Sequence, residues 1–235
     1  YPKAAEYVWT EETFVTDSSK NSRAYVACGS SNKESSHSSN ETWLYVPMVK
    51  RKEANRIHLN VTYGVKSCVE LDFKQCSQEF QLFGIDAHAG FKPAYDGSSN
   101  DWTSVGFFTG RPQGGSMHEV YSAVKSFAVK NSDIYFAFKN KDACVSILSM
   151  KIYYEICPET VHGFAIFPKT VTGSKADSII SVNGTCVSHA SRTIGTNIDP
   201  TYICKSNGEW DLQLGGCECD AGYYPSEDHK SCKLC

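Results

Sequence analysis

Eleven cysteines, seven histidines and 26 acidic residues are the side chains from which this 235-residue chain could build metal-binding or reactive chemistry. Five of the cysteines (Cys204, Cys217, Cys219, Cys232 and Cys235) crowd the last 32 positions. Such density signals either a structural metal or a disulfide framework. Zinc sites want paired Cys-x(2–4)-Cys or His partners, and only Cys232 with Cys235 has that form, without a second matching pair. Disulfides in an oxidising compartment are expected, and no metal. Three N-glycosylation sequons agree with that compartment: Asn40-Glu41-Thr42, Asn60-Val61-Thr62 and Asn183-Gly184-Thr185. An odd cysteine count leaves one thiol over, and the terminal Cys235 is expected to be the one whose partner lies beyond the chain.

Catalytic chemistry finds no frame in these residues. Gly-rich phosphate loops, His-Glu-x-x-His helices and Gly-x-Ser-x-Gly elbows are missing from the sequence. His118-Glu119 lacks a second histidine at metal-binding spacing, and Asp72, Asp86, Asp96 and Asp101 read as surface acids. No catalytic residue and no cofactor is expected. The net charge of −3 gives no general attraction for nucleic acid or anionic lipid, so a partner must be recognised locally. Apolar runs fall far short of the ~20 residues that a membrane span needs, and no signal-peptide pattern follows Tyr1. A mature extracellular piece is expected.

These residues have to be positioned by a folded scaffold. Apolar residues make up 41% and charged residues 21%, ordinary globular usage. The length suggests a main domain of about 150 residues with smaller appendages. Residues 1–156 carry four cysteines among alternating apolar runs, whereas residues 157–235 carry seven among shorter runs, which predicts a boundary at Cys157-Pro158. The clearest strand is 56–66. There Ile57, Leu59, Val61, Tyr63 and Val65 fall on one face, while His58, Asn60, Thr62, Gly64 and Lys66 fall on the other. If Asn60 carries a glycan, Lys66 also points outward, about 20 Å along the strand. Further strands are predicted at 43–49, 79–85, 121–129, 134–139 and 144–156, the last with Leu148, Met150, Ile152, Tyr154 and Ile156 on one face. Turn-prone stretches at 29–40, 93–100 and 110–116 separate strands. The fold class is all-β, a sandwich or jelly roll.

Several linked blocks in the chain resemble the ligand-binding domain of Eph receptors. They are Arg23-Ala-Tyr-Val-Ala-Cys28, Trp43-Leu44, Arg56-Ile57-His58 with Cys68, and Cys76-Ser-Gln-Glu-Phe-Gln-Leu-Phe83. Val124-Lys-Ser-Phe127, Tyr135-Phe-Ala-Phe138 and the run from Cys144 to Cys157-Pro158 continue the match. The resemblance spans nearly the whole chain and is weakest over 87–116. It implies a jelly-roll β-sandwich for residues 1–156, followed by small disulfide-rich modules. Cys157, Cys186, Cys204 and Cys217, with Gly208-Glu-Trp210, resemble a sushi module over 157–217. Cys219-Asp-Ala-Gly222-Tyr223 with Cys232 and Cys235 resembles the opening of an EGF-like module over 218–235.

The same resemblance implies disulfides pairing Cys28 with Cys144, Cys68 with Cys76, Cys157 with Cys204, Cys186 with Cys217 and Cys219 with Cys232. The first closes a loop of more than a hundred residues, worth ~4–5 kcal/mol on the chain-entropy account. An apolar loop of a membrane-anchored ephrin is the implied partner, inserted in a rim channel between the two N-terminal disulfides. Carried over, that channel is lined by Ser30, Gly64, Lys66, Leu71, Phe73, Ser146 and Leu148. Lysine keeps the charge that many relatives supply as arginine but lacks its bidentate fork. Leu71 and Phe73 are hard to bury in so short a loop, which makes them either a packing lid or a partner surface. A longer Ser-rich loop before Trp43 and a shorter loop between Cys68 and Cys76 depart from the family and bear on partner specificity. Trp210 is expected as the packed centre of its module, with an indole nitrogen that needs a partner.

The resemblance further implies a parent receptor on the extracellular side of the plasma membrane. That parent has one membrane span and a cytoplasmic tyrosine kinase activated by clustering, in cell guidance and adhesion. Self-association through the cysteine-rich part is a further expectation. A carbohydrate-binding or adhesive jelly roll using Trp102, Tyr95 and Phe107 is the alternative function, and a decoy or structural spacer is a third.

Overall fold

Apolar residues two apart share a face of a strand, and that rule builds the first of two compact units. A computed structural model describes residues 8–15, 21–28, 41–68, 76–95, 100–110, 120–195 and 198–235. The first unit comprises Tyr1–Lys52 and His58–Tyr153. Its strands are β1 (Thr10–Val15), β2 (Asn21–Ala27), β3 (Glu41–Tyr45), β4 (Val49–Lys50) and β5 (Arg56–Val65), which belongs to this unit from His58 onward. They continue with β6 (Glu79–Ala87), β7 (Thr103–Thr109), β8 (Val120–Ala128), β9 (Asp133–Lys141) and β10 (Val145–Tyr153). One antiparallel sheet runs β1-β2-β10-β5-β8, and the other β3-β9-β6-β7 with β4 beside β9.

The two sheets bury their facing side chains as a jelly-roll β-sandwich. Ile57, Leu59, Val61 and Tyr63 of β5 are buried, as the alternation in this strand predicts. Across the gap, the Tyr63 ring lies 5.2 Å from both Phe80 of β6 and Phe108 of β7. Phe127 of β8 meets Phe136 of β9 edge-on at 6.0 Å. Aromatic rings thus bridge the sheets along the length of the core, each pair adding to the area it buries.

Two of the expected strands differ from the structure. The strand expected at 43–49 is two strands, because Pro47 has no N–H to donate to a ladder; Val46 N–H still donates to Phe136 O at 2.9 Å. In β10 the register against β5 shifts between Ile147 and Ser149. This bulge inserts Leu148 as an extra residue, so Val145 and Ile147 are buried and the single face expected through Leu148 is broken. The strand expected at 144–156 ends at Tyr153, and Ile156–Cys157 is a separate short strand. β1, β2 and β7 were not expected in this unit, since all three lack a clean alternation of apolar residues.

The second unit joins Glu53–Ile57 to Tyr154–Cys235. Its strands are β11 (Ile156–Cys157), β12 (Thr160–His162), β13 (Ala165–Phe167), β14 (Thr170–Val171), β15 (Ile179–Asn183) and β16 (Thr185–Cys186). The remainder are β17 (Ala190–Arg192), β18 (Thr201–Lys205), β19 (Trp210–Leu214), β20 (Cys217–Cys219), β21 (Tyr223–Pro225) and β22 (Cys232–Leu234). They form small sheets, among them β12-β13-β16 and β15-β18-β19. A compact core of Ala165, Phe167 and Cys217 is walled by Tyr202 and Trp210. The Trp210 indole stacks on Tyr202 at 5.0 Å and donates its N–H to Pro158 O at 2.7 Å. Glu53 ties its segment into this unit, accepting from Tyr154 Oη at 3.0 Å and pairing with Lys169. Asn55 Nδ2 donates to Thr172 O at 2.9 Å. Lys169 and then Tyr154, through their hydrogen bonds, hold the Glu53 carboxyl below its ordinary value.

Disulfides join Cys28 to Cys144 and Cys68 to Cys76 in the first unit. In the second they join Cys157 to Cys204, Cys186 to Cys217 and Cys219 to Cys232. Cys235 is free and exposed.

Candidate functional site

Three strands of one sheet end together and make an edge. Val145, the first residue of β10, lies opposite both Ala27 of β2 and Val65 of β5. Cys28, Lys66 and Cys144 are the next residues outward on their strands. The ladder continues one step as Lys66 N–H donates to Cys144 O at 2.9 Å, and the Cys28 to Cys144 disulfide closes the other side. Gly64 and Ser146 face each other one step further in. Sequence expectation named Gly64, Lys66 and Ser146 for the channel, and the structure brings these three together. Leu148, also named, lies further along β10 in its bulge. Ser30, Leu71 and Phe73 lie outside the described residues.

The second N-terminal disulfide reaches the same edge. Cys68 follows closely on β5 and bonds to Cys76, whose neighbour Ser77 bridges Ala143 and donates its N–H to Asp142 O at 3.0 Å. Gly110, at the end of β7, donates to Gln78 O at 2.8 Å. A Cβ at Gly110 would stand 2.9 Å from the Val65 Cβ, so only glycine admits this approach. Burial raises the Tyr63 hydroxyl above its ordinary value, and that hydroxyl donates to Thr109 O at 3.0 Å.

Asn140 holds the edge from inside and was missed in the sequence. It is fully buried on β9, and its Nδ2 donates to Ala27 O at 3.3 Å and to Ala143 O at 2.9 Å. Those carbonyls precede Cys28 and Cys144. The signal was available: Ile134, Phe136 and Phe138 alternate inward, and Asn140 is the next inward position, where a polar side chain must find partners.

Beside the edge, the outer face of the β3-β9-β6-β7 sheet forms a groove of about 680 Å³, lined by Glu41, Ser77, Gln81, Phe107, Lys139 and Asp142. Two of its charges meet within it: Lys139 pairs with Glu41 at 2.8 Å and sits 5.5 Å over the Trp43 ring. Of the aromatic residues weighed for carbohydrate, Trp102 is buried and donates its indole N–H to Ala94 O at 3.4 Å. Tyr95 packs edge-on against Tyr45 at 4.8 Å, and half-exposed Phe107 lines the groove. Asp86 accepts from the Lys130 and Asn131 backbone N–H groups and so braces a turn. Asp72, Asp96, His118, Glu119 and the sequon residue Asn40 lie outside the described residues. Asn60 is half-buried in the middle of β5, where it accepts from Ser122 Oγ at 2.8 Å, and Asn183 is exposed. Among the described residues, no helix is long and apolar enough to cross a membrane.

Comparison with known proteins gives matches over nearly the whole chain. The family described as ephrin receptor ligand binding domain matches residues 1–157, and the ephrin cysteine rich domain matches residues 158–219. The chain is similar to ephrin type-B receptor 2 of Gallus gallus, 26% identical over 238 residues. It is also similar to ephrin type-B receptor 3 of Xenopus laevis, 27% identical over 241 residues, and of Homo sapiens, 27% identical over 237. Each alignment covers 97% of this chain and 23% of the relative, so the chain spans about a quarter of the length of the curated relatives it matches.

Proposed function

Because the chain belongs to the ephrin receptor ligand-binding-domain family, which covers 157 of its 235 residues, we propose that it captures a membrane-anchored ephrin at the edge between its two N-terminal disulfides. The observation that carries this function is the meeting of Gly64, Lys66 and Ser146 at strand ends tied down by Cys28 with Cys144 and by Cys68 with Cys76. Two covalent staples and a buried asparagine hold the backbone in place before a partner arrives, which lowers the ordering cost of binding. An apolar ligand loop lies over the sheet face that Gly64 and Ser146 share. Lys66 meets an acidic residue of the ligand, while Leu71, Phe73, Ser30 and Leu148 complete the channel wall.

Residues 1–156 act as the ephrin-binding domain, 157–217 as a sushi-like module and 218–235 as the opening of an EGF-like module. The parent is a single-pass receptor tyrosine kinase with this region on the extracellular side of the plasma membrane. Ephrin on an apposed cell gathers receptors, the cysteine-rich part adds self-association, and the clustered kinases signal in guidance and adhesion.

The test is a binding titration against a panel of ephrins, with Lys66→Glu and the double change Leu71→Ala, Phe73→Ala in parallel. At least one ephrin is expected to bind, and each variant to lose tenfold or more, about 1.4 kcal/mol. Unchanged affinity in both variants rejects the edge as the site. Saccharide binding that survives all three changes and is lost with Phe107→Ala favours the groove and a carbohydrate ligand instead.

A further inference from the structure

In the second unit, one face of the β15-β18-β19 sheet sets a sequon beside a run of exposed aliphatic side chains. Along β15, Ile180 and Val182 are partly buried, whereas Ile179, Ser181 and Asn183 are exposed on the opposite face. Register fixes their neighbours in three rows. Asn183 lies opposite Thr201, which lies opposite Leu214. Ser181 lies opposite Ile203, and the β19 bulge sets Leu212 beside Ile203. Ile179 lies opposite Lys205, whose ammonium pairs with Glu209 at 3.7 Å. Leu214, Leu212, the partly buried Ile203 and Ile179 therefore cross this face as a diagonal apolar stripe. Ile179 is 68% exposed, Leu212 57% and Leu214 47%. Contiguous apolar surface of this kind marks a face that something covers.

The geometry of the sequon names the cover. The Thr201 hydroxyl shares its one proton between Asp199 O at 3.0 Å and Asn183 Oδ1 at 3.3 Å, so the Asn183 Nδ2, the atom to be modified, is not the group it contacts. The middle residue, Gly184, is packed down: a Cβ there would stand 2.7 Å from the Phe167 ring. Asn183 and Thr185 on either side are exposed. Ile203 is diagonal to Asn183, roughly 7–8 Å away, and Leu214 lies two strand spacings across, roughly 10 Å. The first two sugar rings of an N-glycan span such distances. Their C–H faces and acetamide methyls are apolar while their hydroxyl edges face water.

We infer that Asn183 carries an N-linked glycan whose first two N-acetylglucosamine rings lie over the Leu214, Leu212 and Ile203 part of the stripe and withdraw it from association. Nδ2 forms its bond to the anomeric carbon of a lipid-linked oligosaccharide donor, the donor's diphosphate leaves, and the amide gives up one proton. The inference rests on the extracellular reading but not on ephrin binding.

The whole chain, secreted from eukaryotic cells, is digested for glycopeptide mass spectrometry and sedimented at graded concentrations with a hydrophobic dye. Asn183 is expected to be occupied. Asn183→Gln and Thr185→Ala, which remove the sequon differently, are both expected to strengthen self-association at least tenfold and raise dye fluorescence. Adding Leu212→Ser and Leu214→Ser is expected to restore the monomer. An unoccupied Asn183 beside an occupied Asn60 or Asn40 overturns the inference and leaves the extracellular reading standing. Occupancy nowhere overturns both. An occupied Asn183 whose two sequon variants neither associate nor bind dye overturns the covering role.

Discussion

Asn140 and Asp133 show how single polar groups on β9 earn their burial. Asn140 links the backbone just before Cys28 to the backbone just before Cys144, so it sets the edge geometry independently of the disulfide. Replacing it with leucine removes the amide donor from two buried carbonyls, and Asn140→Leu is expected to lower stability by about 2 kcal/mol in urea unfolding. A loss below a few tenths of a kcal/mol would show that water replaces the amide. Asp133 is buried and accepts from the Lys50 ammonium at 2.6 Å. That bond, with a smaller one from Ser132, holds its carboxyl below the ordinary 3.8 against the opposing effect of burial. An acid whose folded value is lowered contributes stability above its unfolded value and loses it as pH falls through the folded one. Melting temperature is therefore expected to fall as pH drops below 3.8, the ordinary value, and Asp133→Asn to flatten that limb. An identical acid limb in the variant assigns the loss to other groups.

At the scale of elements, disulfide closure and glycine positions decide how strands end. The Cys28 to Cys144 bond spans a separation of 116 residues. Replacing both cysteines with serine is expected to cost ~4–5 kcal/mol by denaturant unfolding if chain entropy governs the bond. A cost under ~1 kcal/mol would mean that Asn140 and the ladder hold the edge unaided. Gly208 turns the chain between β18 and β19 with φ +81°, and a Cβ there would stand 2.8 Å from Ile156 O. Gly208→Ala meets both a left-handed backbone and a backbone clash, so it is expected to lower the second unit's stability by more than the ~1 kcal/mol of glycine freedom alone. Calorimetry reads this directly, and an unshifted transition would refute the close approach.

Across the whole molecule, the two units rest on different physics. The first buries large rings between two sheets, with Phe80, Phe108, Phe136 and Phe138 almost wholly inaccessible. The second has a small core around Phe167 and three disulfides, as domains with little core commonly do. Graded reduction followed by hydrogen exchange is expected to expose β18 amides while β9 stays protected. Simultaneous loss in both elements would mean that the units unfold as one.

Local patterning in the sequence was enough for the all-β class, the inward face of β5 and the presence of a disulfide framework, because periodicity, turn residues and cysteine density are read over a few neighbours. The family resemblance was carried by blocks such as Tyr135-Phe-Ala-Phe138, whose order survives even where loops differ. Tertiary structure alone decided the sheet order, the Leu148 bulge, the partners of Asn140 and the meeting of Gly64, Lys66 and Ser146. Each depends on register between strands distant in the chain, and a shift of one residue, as at Leu148, turns a side chain to the other face with no local sign in the sequence.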